Sequence, residues 1–279
     1  MKQLFDTISE ESAVIITKKY STSFSIAVRL LAPSIRQAIY NIYGFVRVAD
    51  EIVDSFEGYN QAELMRRFED EYAFARDNGI SSNPVINAFQ KTVKEYSIDE
   101  HLVQSFLDSM RTDLTKQVYM TQEETDQYIY GSADVVGLMC LKVFVDGDPE
   151  QYNALKVSAM QLGSAFQKVN FLRDMKQDYE SLSRTYFPNI DIENISQTDL
   201  NKLIVEIKEN FKEAHVGIKS LPKKSRLGVY VAYRYYLKLL KKIEQSPVKV
   251  MTEGRVRVSD FTKTVLLIKS FIKYRLKLV

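Results

Sequence analysis

The chain has 279 residues, a formal net charge of +2, 45% hydrophobic residues and 27% charged residues. That composition excludes bulk disorder, and only 10 Gly and 6 Pro argue against turn-rich all-β folds. One cysteine, Cys140, excludes an internal disulfide framework and fits a reducing compartment; with two distant histidines, His101 and His215, it also argues against structural zinc.

Helical periodicity runs through most of the chain. It predicts helices over 5–20, 35–57, 60–78, 84–96, 99–117, 121–145, 149–180, 198–219, 223–245 and 258–276. Turn signals separate them at Pro33-Ser34, at Asn78-Gly79 through Pro84, at Asp146-Gly147-Asp148-Pro149, at Pro188-Asn189 and at Pro247. No segment alternates cleanly enough for a strand, and no repeat or linker interrupts the pattern. The expectation is a single all-α domain over 1–279, with about ten helices around a common core. The N-terminus carries early acids and no apolar stretch, so no secretory signal is expected. The longest apolar run, Val135–Val145, is too short to span a bilayer and contains Lys142. A cytoplasmic protein is expected, with peripheral membrane contact left open.

The charge is uneven. Residues 219–279 hold 16 Lys and Arg against 3 acids, a net of +13, so residues 1–218 carry −11. A basic C-terminal quarter suits either an anionic partner or a solvated helix face.

On the predicted helix 35–57, Ile35, Ile39, Ile42, Val46, Ala49 and Val53 form an apolar stripe. Tyr43, Arg47, Asp50 and Asp54 lie within about 40° of one another on the adjacent stripe, with Glu51 at its edge. Near the end of helix 149–180, Asn170, Asp174 and Asp178 follow at i, i+4, i+8, and Gln167 precedes them by a turn. Two carboxylates one turn apart repel, which opposes helix formation. A single such pair is common on a solvated face. Here each pair adjoins apolar residues and an arginine, Arg47 or Arg173. Acids in such surroundings need compensation, which Mg²⁺ supplies through oxygen ligands, water and phosphate. Two facing stripes of this kind suit metal-bridged binding of a diphosphate.

These residues resemble a known family. RVADEIVD (47–54) and NFLRDMKQD (170–178) are similar to the two aspartate-rich signatures of the squalene/phytoene synthases. The segment Tyr20 to Ser25 resembles that family's S-x-S-F stretch, and Tyr128 to Gly137 resembles its Y-x-Y-x-x-A-G-x-V-G stretch. Ser183-Arg184-Thr185-Tyr186-Phe187-Pro188 is similar to its G-R-x-Y-x-P, and Tyr236 and Gly254-Arg255-Val256-Arg257-Val258 to its C-terminal tyrosine and R-V-x-V segment. The motifs keep family order over about residues 20–258. One departure is Asp134, where the family usually has glycine.

The resemblance implies the all-α isoprenoid synthase fold, a central cavity and head-to-head joining of two allylic diphosphates. Two or three Mg²⁺ ions are expected on Asp50, Glu51, Asp54, Asn170, Asp174 and Asp178. Arg47, Arg173, Arg184 and Arg255 are expected on diphosphate, with Gln167, Ser21 and Ser23; the serines have helix capping as their other role. Phe24, Tyr43, Tyr128 and Tyr236 are expected to face the developing cation, Tyr128 and Tyr236 as catalytic residues. The proton acceptor stays open among tyrosine, released diphosphate and water. The favoured substrate is geranylgeranyl diphosphate, giving phytoene without NADPH; farnesyl diphosphate is the alternative. Val28 is expected to leave room in the prenyl pocket, and Tyr40 to limit it. An inactive scaffold would have lost the acids. Nucleic-acid binding leaves the acid stripes unexplained. Oligomeric state is not set by the sequence.

Overall fold

The computed structural model describes residues 1–182, 184–188, 190, 195–247 and 256–276. Helix α1 (Lys2–Tyr20) ends at Ser21, whose hydroxyl then accepts a bond from the Phe24 amide and starts α2 (Thr22–Arg29). This eight-residue helix lies where no element was expected. Helix α3 (Pro33–Asp54) opens with Pro33 in its first turn, where a missing N–H costs nothing. Of its expected apolar stripe, Ile35, Ile39, Ile42, Ala49 and Val53 are at most 5% exposed, whereas Val46 is only partly buried; Phe45, outside the expected stripe, is fully buried.

Helix α4 (Gln61–Asn78) is capped by Asn60 and closes at Gly79, whose φ of +72° favours glycine. Helix α5 (Pro84–Glu95) is capped by Asn83. Helix α6 (Glu100–Asp113) stops short of the expected residue 117. The chain instead forms a lone parallel bridge between Val118 and Thr185, with Thr185 N–H donating to the Gln117 carbonyl at 2.9 Å. Among the described residues no longer strand forms.

The expected helix 121–145 is a composite. Helix α7 (Gln122–Ile129) passes through a π-helical turn, Tyr130–Asp134, into α8 (Val135–Phe144). The apolar run 135–145 is a core helix, with Val135, Leu138, Met139, Leu141 and Val143 at most 2% exposed. Helix α9 (Pro149–Leu182) is the longest, and α10 (Gln197–Ser220) packs along it. Helices α11 (Lys223–Glu244) and α12 (Asp260–Arg275) close the order. Among the described residues, no helix is long and apolar enough to cross a membrane.

Gly163 on α9 fixes how near the π-turn approaches. A Cβ there would meet the Ala133 carbonyl at 2.9 Å, so only glycine permits this approach. Asp134 sits in that turn, buried, and accepts from Ser164 Oγ at 2.8 Å. Burial pushes its carboxyl up to about 7, opposed by the Ser164 bond and Lys168.

Candidate active site

A cavity of about 450 Å³ runs between α2, α3, the π-turn, α8, α9, α10 and α11. One end is charged and the other apolar. Helix α3 supplies Arg47, Asp50 and Asp54 to the charged end, and α9 supplies Gln167, Asn170, Arg173, Asp174 and Asp178. The two acid stripes, 120 or more residues apart in sequence, line the same space. They also feel one another, since Asp54 is among the charges that raise Asp178.

Partial burial and then the neighbouring Asp54 carboxylate push Asp50 up to about 8, with Arg47 opposing. Burial, Asp174 and Asp54 push Asp178 up to about 7. The arginines compensate only in part. Arg47 pairs with Glu51, stands 3.9 Å from Asp50 and stacks over the Tyr20 ring. Arg173 Nε donates to Asp174 at 2.9 Å. Arg184, 5% exposed, donates to Asp54 at 2.7 Å and to the Asp113 carbonyl at 2.9 Å.

The donor set fits a hard divalent cation. Asp50, Asp54, Asp174 and Asp178 line the cavity together with Asn170, whose side-chain oxygen accepts from Tyr236 OH at 3.3 Å. Among the described residues, no three Asp, Glu, His or Cys groups form a set that could hold a metal ion by themselves. Mg²⁺ takes one or two carboxylates and completes its shell with water and phosphate.

Aromatic rings surround the passage towards the apolar end. Phe24 stacks on Tyr43 at 4.7 Å, and Phe166 on Tyr236 at 3.9 Å. Phe171 stacks on Tyr186 at 3.9 Å, with Tyr128 beside them at 5.5 Å. Tyr128 OH donates to Asp113 at 2.8 Å. Burial and then Asp113 raise the Tyr128 phenol well above its ordinary range, so it stays protonated. Asp113 itself is pushed up to about 7, chiefly by burial.

Most of the expected residues line this cavity, but not all. Ser21 caps α2, and neither Ser21 nor Ser23 borders the cavity. Glu51 lies outside the lining, paired with Arg47. Tyr40, expected to limit the pocket, is a core residue that does not reach it. One residue on from Ile39, it is turned away by about 100°. Arg255 lies outside the described residues. Asp113 and Tyr186 were missed. Val103, Phe106, Met110 and Asp113 recur every three or four residues on α6, so an acid at a core position was the available signal for Asp113.

The raised acids make metal-free stability depend on pH. A carboxyl whose folded value exceeds its unfolded value near 4 favours folding when protonated. That contribution is present at low pH and is lost as pH rises towards the folded value. In chelator, the melting temperature should therefore fall between pH 5 and 8, and Asp50→Asn should flatten the slope. A melting temperature that rises over that range would contradict the assigned crowding.

A squalene/phytoene synthase family model matches residues 17–262. Phytoene synthase of Arthrospira platensis is 28% identical over 90% of this chain and 89% of its own. The 15-cis-phytoene synthase of Synechocystis is 30% identical over 82% of this chain and 74% of its own. The tomato chloroplast phytoene synthase 1 is 27% identical over 92% of this chain, which spans about two thirds (66%) of that longer relative. Among solved structures, a ligand-bound dehydrosqualene synthase superposes with a TM-score of 0.81 at 23% identity, covering 98% of this chain and 97% of its own. Squalene synthase HpnC of Alicyclobacillus acidocaldarius superposes at 0.73 and 20% identity, over 88% and 95%. With the acid stripes and the fold in place, the match over 17–262 settles the family: the chain belongs to the squalene/phytoene synthase family of prenyltransferases.

Proposed function

We propose that the chain condenses two geranylgeranyl diphosphates head to head into phytoene, with Mg²⁺, as a step of carotenoid biosynthesis. The observation that carries this reading is the cavity itself. Carboxylates from α3 and α9 face one another at one end, arginines flank them, and an aromatic-lined apolar channel continues inward. The cyanobacterial sequence relatives are phytoene synthases, which supports the C20 substrate.

The chemistry assigns work to each part. In the first half-reaction one substrate's C–O bond breaks, and its electron pair leaves with diphosphate. The allylic cation is attacked by the double bond of the second substrate, and proton loss closes a cyclopropane. In the second half-reaction the cyclopropylcarbinyl diphosphate ionises, rearranges and is quenched by proton loss. Asp50, Asp54, Asp174 and Asp178, with Asn170, would hold Mg²⁺, which when bound would neutralise charge on the leaving diphosphate. Arg47 and Arg173 donate to phosphate oxygens once substrate competes for their present acid partners. Tyr43, Tyr128, Tyr236 and Phe24 present ring faces to the cation, each contributing roughly 0.5–2 kcal/mol. The apolar walls exclude water, which would otherwise trap the cation as an alcohol. Substrates this apolar partition into bilayers, so the reading includes peripheral membrane contact.

Incubation with Mg²⁺ and either the C15 or the C20 diphosphate, with and without NADPH, tests the reading by product mass. A C40 triene-centred hydrocarbon formed without NADPH is expected. A C30 product as the main outcome would move the assignment to farnesyl diphosphate, the alternative that the fold of the dehydrosqualene synthase neighbour keeps in view. No product from either would favour an inactive scaffold.

Val28 lines the apolar end with Leu31, Leu155, Ile218 and Leu221. Five extra carbons must fit there, each CH₂ burying about 0.8 kcal/mol of apolar surface. Val28→Phe should fill that space and move the kcat/KM ratio towards the C15 diphosphate at least about tenfold, because well-packed walls yield little. An unchanged ratio would show that Val28 does not set chain length.

A further inference from the structure

Among the described residues, helix α12 leaves an apolar face without a partner. It packs on α11, and only Ser270 on its inner side is fully buried. On the opposite side Phe261 is 79% exposed, Ile268 54%, Phe271 46%, Ile272 50% and Leu276 64%. At helical spacing these five fall within an arc of about 140°, centred opposite Ser270. Isolated exposed apolar residues are ordinary, but a stripe along a whole helix is not.

Lys269 and Lys273 border the stripe on one side, and Arg275 lies within it near the helix end. Asp260–Arg275 contains Lys263, Lys269, Lys273 and Arg275 against one acid, Asp260. Lys269, Lys273 and Arg275 are exposed, as are Lys241 and Lys242 at the end of α11 and Lys223 at its start. Tyr274 OH reaches the Lys223 carbonyl at 3.4 Å, and Lys263 stands 6.0 Å from the Tyr235 ring, so α12 runs antiparallel to α11. The other side of α11 supplies Gly228, Val229, Ala232 and Tyr236 to the cavity.

We propose that this outward face of α12 docks on an anionic lipid bilayer. Apolar residues along the helix enter the headgroup boundary, and these cations meet lipid phosphates, as basic amphipathic helices do. Charge complementarity selects this occupant over a second copy in a symmetric dimer, which would bring two cationic faces together. Docking there sets the cavity wall formed by α11 one helix layer from the lipid. The proposal takes from the prenyl-diphosphate reading only the reason for visiting a bilayer.

The test is flotation of the full chain, without substrate, on vesicles of phosphatidylcholine alone or with about 30% phosphatidylglycerol. Binding should be at least about tenfold tighter to the anionic vesicles and weaken in roughly 0.5 M salt. Ile268→Asp and Phe271→Asp alter exposed positions, so helicity and melting temperature should hold while anionic-vesicle binding falls at least about tenfold. Lys269→Gln with Lys273→Gln should lose most of the anionic preference. No wild-type binding to either vesicle, or variants that bind like wild type, would overturn the proposal. So would a dimer in sedimentation velocity that Ile268→Asp dissociates, which would give the face to a second copy. Product assays with detergent-dispersed substrate report on the catalytic reading separately.

Discussion

Asp50→Asn and Asp174→Asn should each lower turnover about 10²–10³-fold, the scale for losing one preorganised partner of a developing charge. Each removes one carboxylate from the set that lines the charged end of the cavity, the set proposed to hold Mg²⁺. Chelation should take away the remaining rate, and added Mg²⁺ should restore it only in wild type to the full value. The two substitutions should differ in stability. Asp50 is pushed up to about 8 by burial and by Asp54, so its charge is unfavourable in the metal-free fold. Asp50→Asn should raise the melting temperature measured in chelator at pH 8. Asp174 is held by the Arg173 guanidinium, and its replacement leaves that cation with less compensation. Asp174→Asn should bring no such gain. Circular dichroism and melting curves in chelator separate these effects from turnover. Full activity in either variant would remove that acid from the site, and unfolding of both would make the acids structural.

The acid stripes were legible because both halves of each motif sit on one helix. Spacing of i, i+4 fixes direction there, as for Asp50 with Asp54 and Asp174 with Asp178. Spacing cannot show that α3 and α9 face each other, and the family resemblance supplied that expectation. Helix α2 was lost because eight residues carry too little periodicity to stand out between two longer patterns. The π-turn at Tyr130–Asp134 was read as plain helix, since one extra residue within a turn leaves the apolar pattern on either side intact. Tyr40 was misplaced by treating the cavity stripe as wider than it is, while its neighbours Ile39 and Tyr43 reach the lining. Tyr186 is placed by the join between 117–119 and 185, a contact made by backbone atoms that no side-chain pattern encodes, whereas Asp113 had a signal as an acid at a core position of α6.

Arg184 is the residue at which that join becomes energetic. It sits 130 positions from Asp54, yet its side chain is 5% exposed and donates to both the Asp54 carboxylate and the Asp113 carbonyl. A buried guanidinium is tolerated only while such partners persist. Arg184→Ala removes two charge-assisted bonds and leaves the buried carbonyl of Asp113 without this donor. Removing one member of a buried pair costs about 3–5 kcal/mol, and the low end applies because Asp54 is 38% exposed. A loss near 3 kcal/mol should lower the melting temperature by roughly 5–10 °C in a chain this long. Arg184→Lys keeps the charge but not the paired geometry, so it should recover only part of the loss. Asp54→Asn should cost little stability, since water reaches that carboxylate, but it should lower turnover as a ligand substitution does. The double variant Arg184→Ala with Asp54→Asn should be more stable than the sum of the single losses predicts, by about 0.5–3 kcal/mol of coupling. Additive losses would mean that Arg184 supports the fold through Asp113 alone. An Arg184→Ala variant with wild-type melting temperature would show that the join of 117–119 to 185 holds without it.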